Sequence, residues 1–348
     1  MNRRLRRLIF WIFVLIFILA TPPTILYSMG YSFDLQNFSL VQTGGLYFSS
    51  LPNDAEIALN GQETNKKTPV FLSHLLPRDY QITVGQNGFY PWQKTLRVEP
   101  KLVTEARNIL LFPEKSSPER TAENVTTTIP YFLLSANERQ NGQVAQKIAS
   151  SNLGWLYQDG EIYYVATSSI MLYRADLSGS ILEQISRDSL PLSNYRIITN
   201  DGRNFLLLAD SGELYMLKRG ESIFRKIAEQ VVNAQMSYDN KKITWSSNSE
   251  IWVYWLADIL IQPYHLADNK ELITRFSQKI SQVIFYPDNE HLAFVIGNQI
   301  KIIELDGRDR RNIIDFINTP DPEIYFDEKN GYFYYLTGEQ LFRLKLPY

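Results

Sequence analysis

The chain has 348 residues, 45% apolar and 13% aromatic, enough for more than one buried core and too apolar for a disordered protein. It contains no cysteine, which excludes disulfides, thiolate metal sites and cysteine nucleophiles; extracytoplasmic parts must hold together by packing alone. The formal charge of −2 conceals a basic start, Arg3, Arg4, Arg6 and Arg7, while the remainder is mildly acidic and lacks the broad basic footprint of a nucleic-acid binder.

Leu8 to Ala20 is an unbroken apolar run, and apolar character resumes at Thr24 to Tyr27 beyond Pro22 and Pro23. Residues 8–27 thus approach the about 20 residues that a bilayer crossing needs. The arginines of segment 1–7 favour a cytoplasmic N-terminus, with everything after the span delivered outside. A cleaved signal peptide shares the basic start and apolar length, but no Ala-x-Ala site follows, and the proline pair stands where cleavage would fall. Residues 8–27 therefore read as an uncleaved single-pass anchor in the cell membrane. Residues 28–43 alternate aromatic and polar side chains and read as an extended stem.

Residues 44–113 form the next unit. Its marks are Gly45-Leu46-Tyr47-Phe48-Ser49-Ser50-Leu51-Pro52, Ala55 to Gly61, Thr68-Pro69, Leu75 to Tyr80, and Gly88-Phe89-Tyr90-Pro91-Trp92. Asn60-Gly61 predicts a hairpin turn at positive φ, Thr68-Pro69 sets the entry to a strand at Val70, and Tyr80, Ile82 and Val84 place one strand face on a core. In these features the segment resembles the PEGA domain, a small β-sandwich of envelope and surface proteins. The resemblance departs at the eponymous tetrad, here Pro52-Asn53-Asp54-Ala55, although Asn-Asp remains an acceptable turn pair. Tyr90 and Trp92 offer flat faces suited to carbohydrate stacking, or to packing over the sandwich edge.

Residues 114–130 lack periodicity, are rich in Pro, Ser, Thr and charge, and read as a linker. From 131 to 348 a three-strand rhythm recurs, with first turns at Asp159-Gly160, Asp201-Gly202, Asp239-Asn240, Asp288-Asn289 and Asn330-Gly331. Intervals of roughly 40 residues are those of four-stranded propeller blades. The long third interval carries an insertion at Asp258 to Asp268. Fourth strands follow the first four copies, and Gln143 to Ser150 is expected to supply the missing fifth by pairing with Gln340 to Leu346. Ile129 to Leu134 could belong to a degenerate sixth blade. This region resembles the propellers of Tol-system translocation proteins and other WD-repeat-like sensors, with Tyr286-Pro287-Asp288-Asn289 nearest to their strand-turn motif.

Residues that would carry chemistry are sparse. His74, His265 and His291 are isolated and read as surface or edge positions, with no metal-ligand spacing. No nucleophile elbow, phosphate loop or calcium loop is present, so no catalytic, metal or cofactor-binding residue is assigned. The densest aromatic patch is Ile251 to Trp255 with Tyr264. Alternation puts Trp252 and Tyr254 on one face of that strand, and Val253 and Trp255 on the other. The candidate binding surface is thus Tyr90, Trp92, Trp252, Tyr254 and Tyr264, against a strand simply buried on both sides. Arg308 to Arg311 reads as a solvated basic turn.

The expected fold is an all-β ectodomain on one transmembrane helix, a small PEGA-like β-sandwich followed by a propeller of about five blades. The expected function is noncatalytic binding or scaffolding in the cell envelope, through contact with a protein or a surface polysaccharide and not with nucleic acid. The alternative is a propeller hydrolase or lyase acting on envelope glycan.

Overall fold

The computed structural model describes residues 3–35 and 37–346; Met1 and Asn2 of the basic segment, Gln36 of the stem, and Pro347 and Tyr348 of the propeller range lie outside the described residues. The chain divides into two compact units, one running to Glu114 and including Arg308–Arg310, the other beginning at Lys115.

The first unit opens with α1 (Arg3–Ser28), 26 residues with a mean hydropathy of 2.4 in its most apolar window and no buried side chain. It overruns the expected 8–27 at both ends, since the arginines continue the helix and Pro22 and Pro23 lie inside it. The hydroxyls of Thr21 and Thr24 donate to the carbonyls of Phe17 and Ala20, at 2.6 and 2.7 Å. These two hydroxyls are thereby satisfied within the helix, as an apolar environment requires. The stem is not extended. β1 (Tyr31–Asp34) and β2 (Ser39–Gln42) pair as a hairpin, because Asn37 bonds the Asp34 carboxylate at 2.8 Å and Phe38 takes a φ of 48° to close the turn.

The sandwich follows as β3 (Gly44–Leu51), β4 (Glu56–Leu59), β5 (Gln62–Lys67), β6 (Val70–Leu75), β7 (Asp79–Gly85), β8 (Trp92–Arg97) and β9 (Val103–Leu110). Its two sheets run β6-β3-β9, with β3 and β9 parallel, and β5-β4-β7-β8. Alternation decides the core: Tyr80, Ile82 and Val84 of β7 and Trp92 and Leu96 of β8 turn inward onto Leu46, Phe48 and Ile57. Gly44 is required where β3 begins, since a Cβ there would lie 2.2 Å from the Glu99 carbonyl oxygen.

The second unit contains β10 (Glu119–Ala122), α2 (Ile129–Leu133) and α3 (Ala136–Ala149), then nineteen strands. The first sheet is β11 (Gly154–Gln158), β12 (Glu161–Val165), β13 (Leu172–Ala175) and β14 (Ile181–Gln184); the second is β15 (Tyr195–Ile198), β16 (Phe205–Ala209), β17 (Leu214–Leu217) and β18 (Arg225–Ala228). The third comprises β19 (Asn233–Met236), β20 (Lys242–Ser246), β21 (Glu250–Trp255) and β22 (Lys270–Arg275); the fourth, β23 (Ile280–Phe285), β24 (His291–Ile296), β25 (Gln299–Glu304) and β26 (Ile313–Asn318). The fifth has β27 (Glu323–Asp327), β28 (Tyr332–Thr337) and β29 (Gln340–Lys345), and is completed by β10, giving the order β10-β29-β28-β27.

This is a five-bladed propeller, with the closing strand in an unexpected place. β10 lies within the stretch expected to be a linker, and pairs Glu119 with Arg343 and Arg120 with Phe342. Gln143 to Ser150, expected to close the ring, is instead the end of α3. Ala145 and Ala149 bury at helical spacing, and a capping box between Ser135 and Glu138 fixes the start of the helix. Ile129 to Leu134 comprises α2 and its extended C-cap Leu134, and forms no sixth blade. α2 packs on β27 and β28 while α3 packs on β11 and β12, so the helix pair fills the seam between the fifth and first sheets.

The first strand of each sheet is innermost, and side-chain amides satisfy its free, channel-facing edge. Gln158 Nε2 donates to the Asn200 carbonyl and Asn200 Nδ2 to the Ser237 carbonyl, each at 2.9 Å. Asn233 and Gln235 accept from the backbone N–H groups of Val283 and Phe285, at 3.3 and 2.6 Å. Gln282 both donates to the Ile324 carbonyl, at 2.7 Å, and accepts from the Ile324 N–H, at 2.8 Å. Strand edges that would otherwise sit unpaired between blades are thereby closed.

Candidate functional site

The first turns of the sheets converge on one mouth of the propeller channel. Each is built by the residue pair that the sequence marks, with Asp159, Asn240 and Asn289 and the glycines at 160, 202 and 331 all at positive φ. A cavity of about 660 Å³ lies at this mouth, walled by residues at the first turns of the second, third and fifth sheets, by Gln158 of the first and by the ends of α2 and α3. Gln235, Tyr238, Asn240 and Tyr325 line it, with Asp327 and Lys329 at the rim. Gln235 also bonds the Tyr238 hydroxyl, and burial pushes the Tyr238 and Tyr325 phenols above their ordinary pKa. Both therefore stay protonated as hydrogen-bond donors at neutral pH. The Oδ1 of Asn240 is buried with no hydrogen-bond partner. Asp327 is committed to its own turn, accepting from the backbone of Lys329 and from the Asn330 amide, at 3.1 and 2.6 Å. Glu138 and Lys329 pair with each other at 2.9 Å, so this mouth offers phenol donors and an amide acceptor together with the carboxylate of Glu328.

The opposite mouth, a cavity of about 770 Å³, differs in character. It is lined by Arg196, Asn233, Gln282 and Glu323 with Thr126 to Thr128. Crowding by the channel walls lowers the Arg196 pKa from its ordinary value, and Glu323 accepts from the N–H of Ile129 at the start of α2, at 3.2 Å.

The aromatic residues singled out from the sequence do not form one surface. Trp92 is 4% exposed and belongs to the sandwich core, so it has no face for a sugar; Tyr90 beside it is exposed. Trp252 stacks on Trp245 with centroids 6.5 Å apart, and Lys270 Nζ lies 4.7 Å above its ring. Its indole N–H donates to Glu250, at 2.8 Å. Tyr254 is buried and donates its hydroxyl to Asp268, which also receives Lys218. Burial and that carboxylate push the phenol up to about 12, while the Lys218 bond holds Asp268 down at about 2. The expected alternation holds: Trp252 and Tyr254 pack toward the second sheet, Val253 and Trp255 toward the fourth. Of this group Tyr264, 67% exposed in the 258–268 insertion, and Tyr90, 37% exposed, are presented to solvent.

The histidines also depart from expectation. His74 is exposed, with its ring stacked on Tyr27, but His265 stacks on Trp255 at 4.0 Å and His291 is 4% exposed, with Asp288 beside it at 2.6 Å. No cluster with metal-ligand character occurs among the described residues.

Comparison with known proteins resolves the first unit. Residues 43–110 match the PEGA domain. In this PEGA domain the altered tetrad keeps its shape: Asp54, at the position of the glycine, takes a φ of 64°, and Asp is among the few side chains that enter this region readily. Thr68 Oγ1 holds the turn from behind, bonding Ser50 Oγ at 2.6 Å and the Ala55 N–H at 3.1 Å. No curated protein matches the chain. Among solved structures, similarity is found to the gluconolactonase XC5397 from Xanthomonas campestris (13% identity, 54% of this chain and 69% of that chain, TM-score 0.35). It is also found to Kluyveromyces lactis Hsv2 (9%, 85% and 72%, TM-score 0.39) and to the Myceliophteria thermophila Cps50 (Swd1) beta-propeller domain (8%, 53% and 62%, TM-score 0.40). The propeller itself is established by the strand order and inter-sheet bonds described above, not by these likenesses.

Proposed function

We propose that the protein is a noncatalytic binding or scaffold protein of the cell envelope, anchored by α1 with its N-terminus in the cytoplasm and both domains outside. The observation that carries this reading is the mouth lined by Gln235, Tyr238, Asn240 and Tyr325, where a buried acceptor without a partner stands beside phenol donors. Phenol and amide hydrogen-bonding groups in a preformed cavity, with charged side chains also in its lining, suit recognition of a protein loop or a surface polymer. Hydrolysis of a glycan would call for convergent carboxylates with raised pKa in a cavity. Glu290 is a carboxylate so raised, by burial, but it pairs with the buried Lys242 at 2.8 Å and lines neither mouth. The test is incubation of the full-length protein with purified envelope glycan. Retention without fragments, weakened by Asn240→Ala, is expected for polymer binding; soluble fragments in the supernatant would contradict the noncatalytic reading.

A further inference from the structure

Alternation of strand direction sends the first-to-second and third-to-fourth turns of every sheet to one face of the propeller, and the second-to-third turns to the other. The insertion Asp258 to Asp268 is the third-to-fourth connection of the third sheet. Its base is fixed. Ile259 and His265 exchange backbone hydrogen bonds at 2.7 and 3.2 Å, and Asp258 accepts from the Ala267 N–H at 2.8 Å. The His265 ring lies flat on buried Trp255, and its burial lowers the pKa, so the imidazole is neutral at neutral pH. Beyond this base Leu260, Ile261, Tyr264 and Leu266 are 81, 56, 67 and 71% exposed. No other ionisable side chain but Tyr264 lies between Asp258 and Asp268. A pinned hairpin of this kind holds its apolar tip in water instead of folding it back onto the sheet.

The tip is not alone on its face. Ile181 and Leu182 at the start of β14, Ile223 just ahead of β18 and Ile313 at the start of β26 are also exposed, each at the corresponding position of another sheet. A groove in a partner would match one such element. Aliphatic side chains at this connection of four successive blades, interspersed with the charged connections Lys218 to Glu221 and Asp306 to Arg311, match an extended surface with an apolar interior and a charged boundary.

We propose that the hairpin tip Leu260 to Leu266 inserts into the interfacial layer of a lipid bilayer, giving the chain a second membrane contact besides α1. This rests on the reading of α1 as a membrane anchor, which keeps the bilayer at high effective concentration around the propeller. Aliphatic residues at the apex with a tyrosine beside them are a composition suited to the headgroup boundary.

The absence of cysteine permits a direct test. Full-length protein with Leu260→Cys carries an environment-sensitive NBD label and is reconstituted in phosphatidylcholine and phosphatidylglycerol vesicles; Ser211→Cys, in the second-to-third turn of the opposite face, is the reference. Flotation of the protein with the vesicles reports on α1 separately. The expected result is blue-shifted emission from position 260, quenched severalfold more by doxyl-labelled lipid than emission from 211. Ile261→Asp with Leu266→Asp should remove that difference without changing the far-UV circular dichroism. Water-like emission at 260, or equal quenching at both positions, on floating vesicles would overturn insertion and leave the anchor standing. A blue shift without lipid quenching would place the tip in a protein contact and also overturn it. Protein that fails to float would overturn anchor and insertion together.

Discussion

The carboxylate of Asp288 lies 2.6 Å from Nδ1 of His291 at the first turn of the fourth sheet, and its other oxygen accepts from the N–H groups of Glu290 and His291, at 2.9 and 3.0 Å. Burial alone would raise the pKa of Asp288 and lower that of His291. Their opposite charges prevail, holding the aspartate below its ordinary value and the histidine above it.

A pH dependence of stability follows from the signs. The raised histidine contributes stability that is complete below its unfolded value of about 6.5 and is lost as pH rises through the folded value. The lowered aspartate contributes stability that is complete above its unfolded value of about 3.9 and is lost as pH falls through the folded value. His291→Asn should therefore destabilise most between about pH 4 and pH 6.5, with the gap to wild type narrowing on both sides. Denaturant midpoints across a buffer series measure this; a gap independent of pH would contradict an ionic pair.

The sandwich separates Trp92 from Tyr90. Trp92→Ala removes a core side chain and should cost about 3–5 kcal/mol, while Tyr90→Ala, at the exposed edge, should cost below about 1 kcal/mol. Chemical denaturation of the full-length protein tests the difference, and equal losses would contradict the assignment of Trp92 to the core.

Blade closure depends on β10. Thr121 is the bulge residue between Arg120 and Ala122; Thr121→Pro removes its hydroxyl bond to the Leu341 carbonyl, 3.1 Å in length, and fixes φ at the bulge on which the register to β29 depends. Amide hydrogen exchange should quicken across Gln340–Lys345 while β15 to β17 keep their protection. Unchanged exchange in β29 would contradict closure by this strand.

The amide latches make a separable prediction. Gln282→Leu leaves both the N–H and the carbonyl of buried Ile324 unpaired, at about 1–3 kcal/mol for each group. Asn37→Leu, on the exposed turn of the β1–β2 hairpin, should cost far less. Thermal unfolding distinguishes them, and similar losses would show that the latch is not what seals the fourth and fifth blades.

Much of this fold was legible in the sequence because it is local. Asn60-Gly61 and the five first-turn pairs each mark a hairpin by the backbone conformation they permit, and the strands between them alternate plainly. What escaped is non-local or ambiguous in period. Thr121 and Leu341 are 220 residues apart, and Glu119 to Ala122 has no apolar alternation to announce a strand. Gln143 to Ser150 carries small apolar residues that fit a helix or a strand, and only the capping residues upstream decide. The candidate site was hidden for the same reason. Gln235 and Gln282 look like solvent-facing strand positions until the neighbouring blade supplies the backbone they bind, and Asn240 looks like an ordinary turn residue until its oxygen is seen to be buried. His291 appeared isolated because its partner lies one turn back, in the segment read only as a turn.

The central claim is that the mouth formed by Gln235, Tyr238, Asn240 and Tyr325 binds an envelope component. It is tested most directly by placing a photo-crosslinking residue at Glu328, on the rim of that mouth, and at Ser281 on the opposite one, in full-length protein within intact cells that make it. The account predicts one recurring adduct from Glu328, absent from Ser281 and lost when Asn240→Ala and Tyr325→Phe are combined. Adducts equal at both mouths, or from Glu328 unaffected by those substitutions, would contradict it.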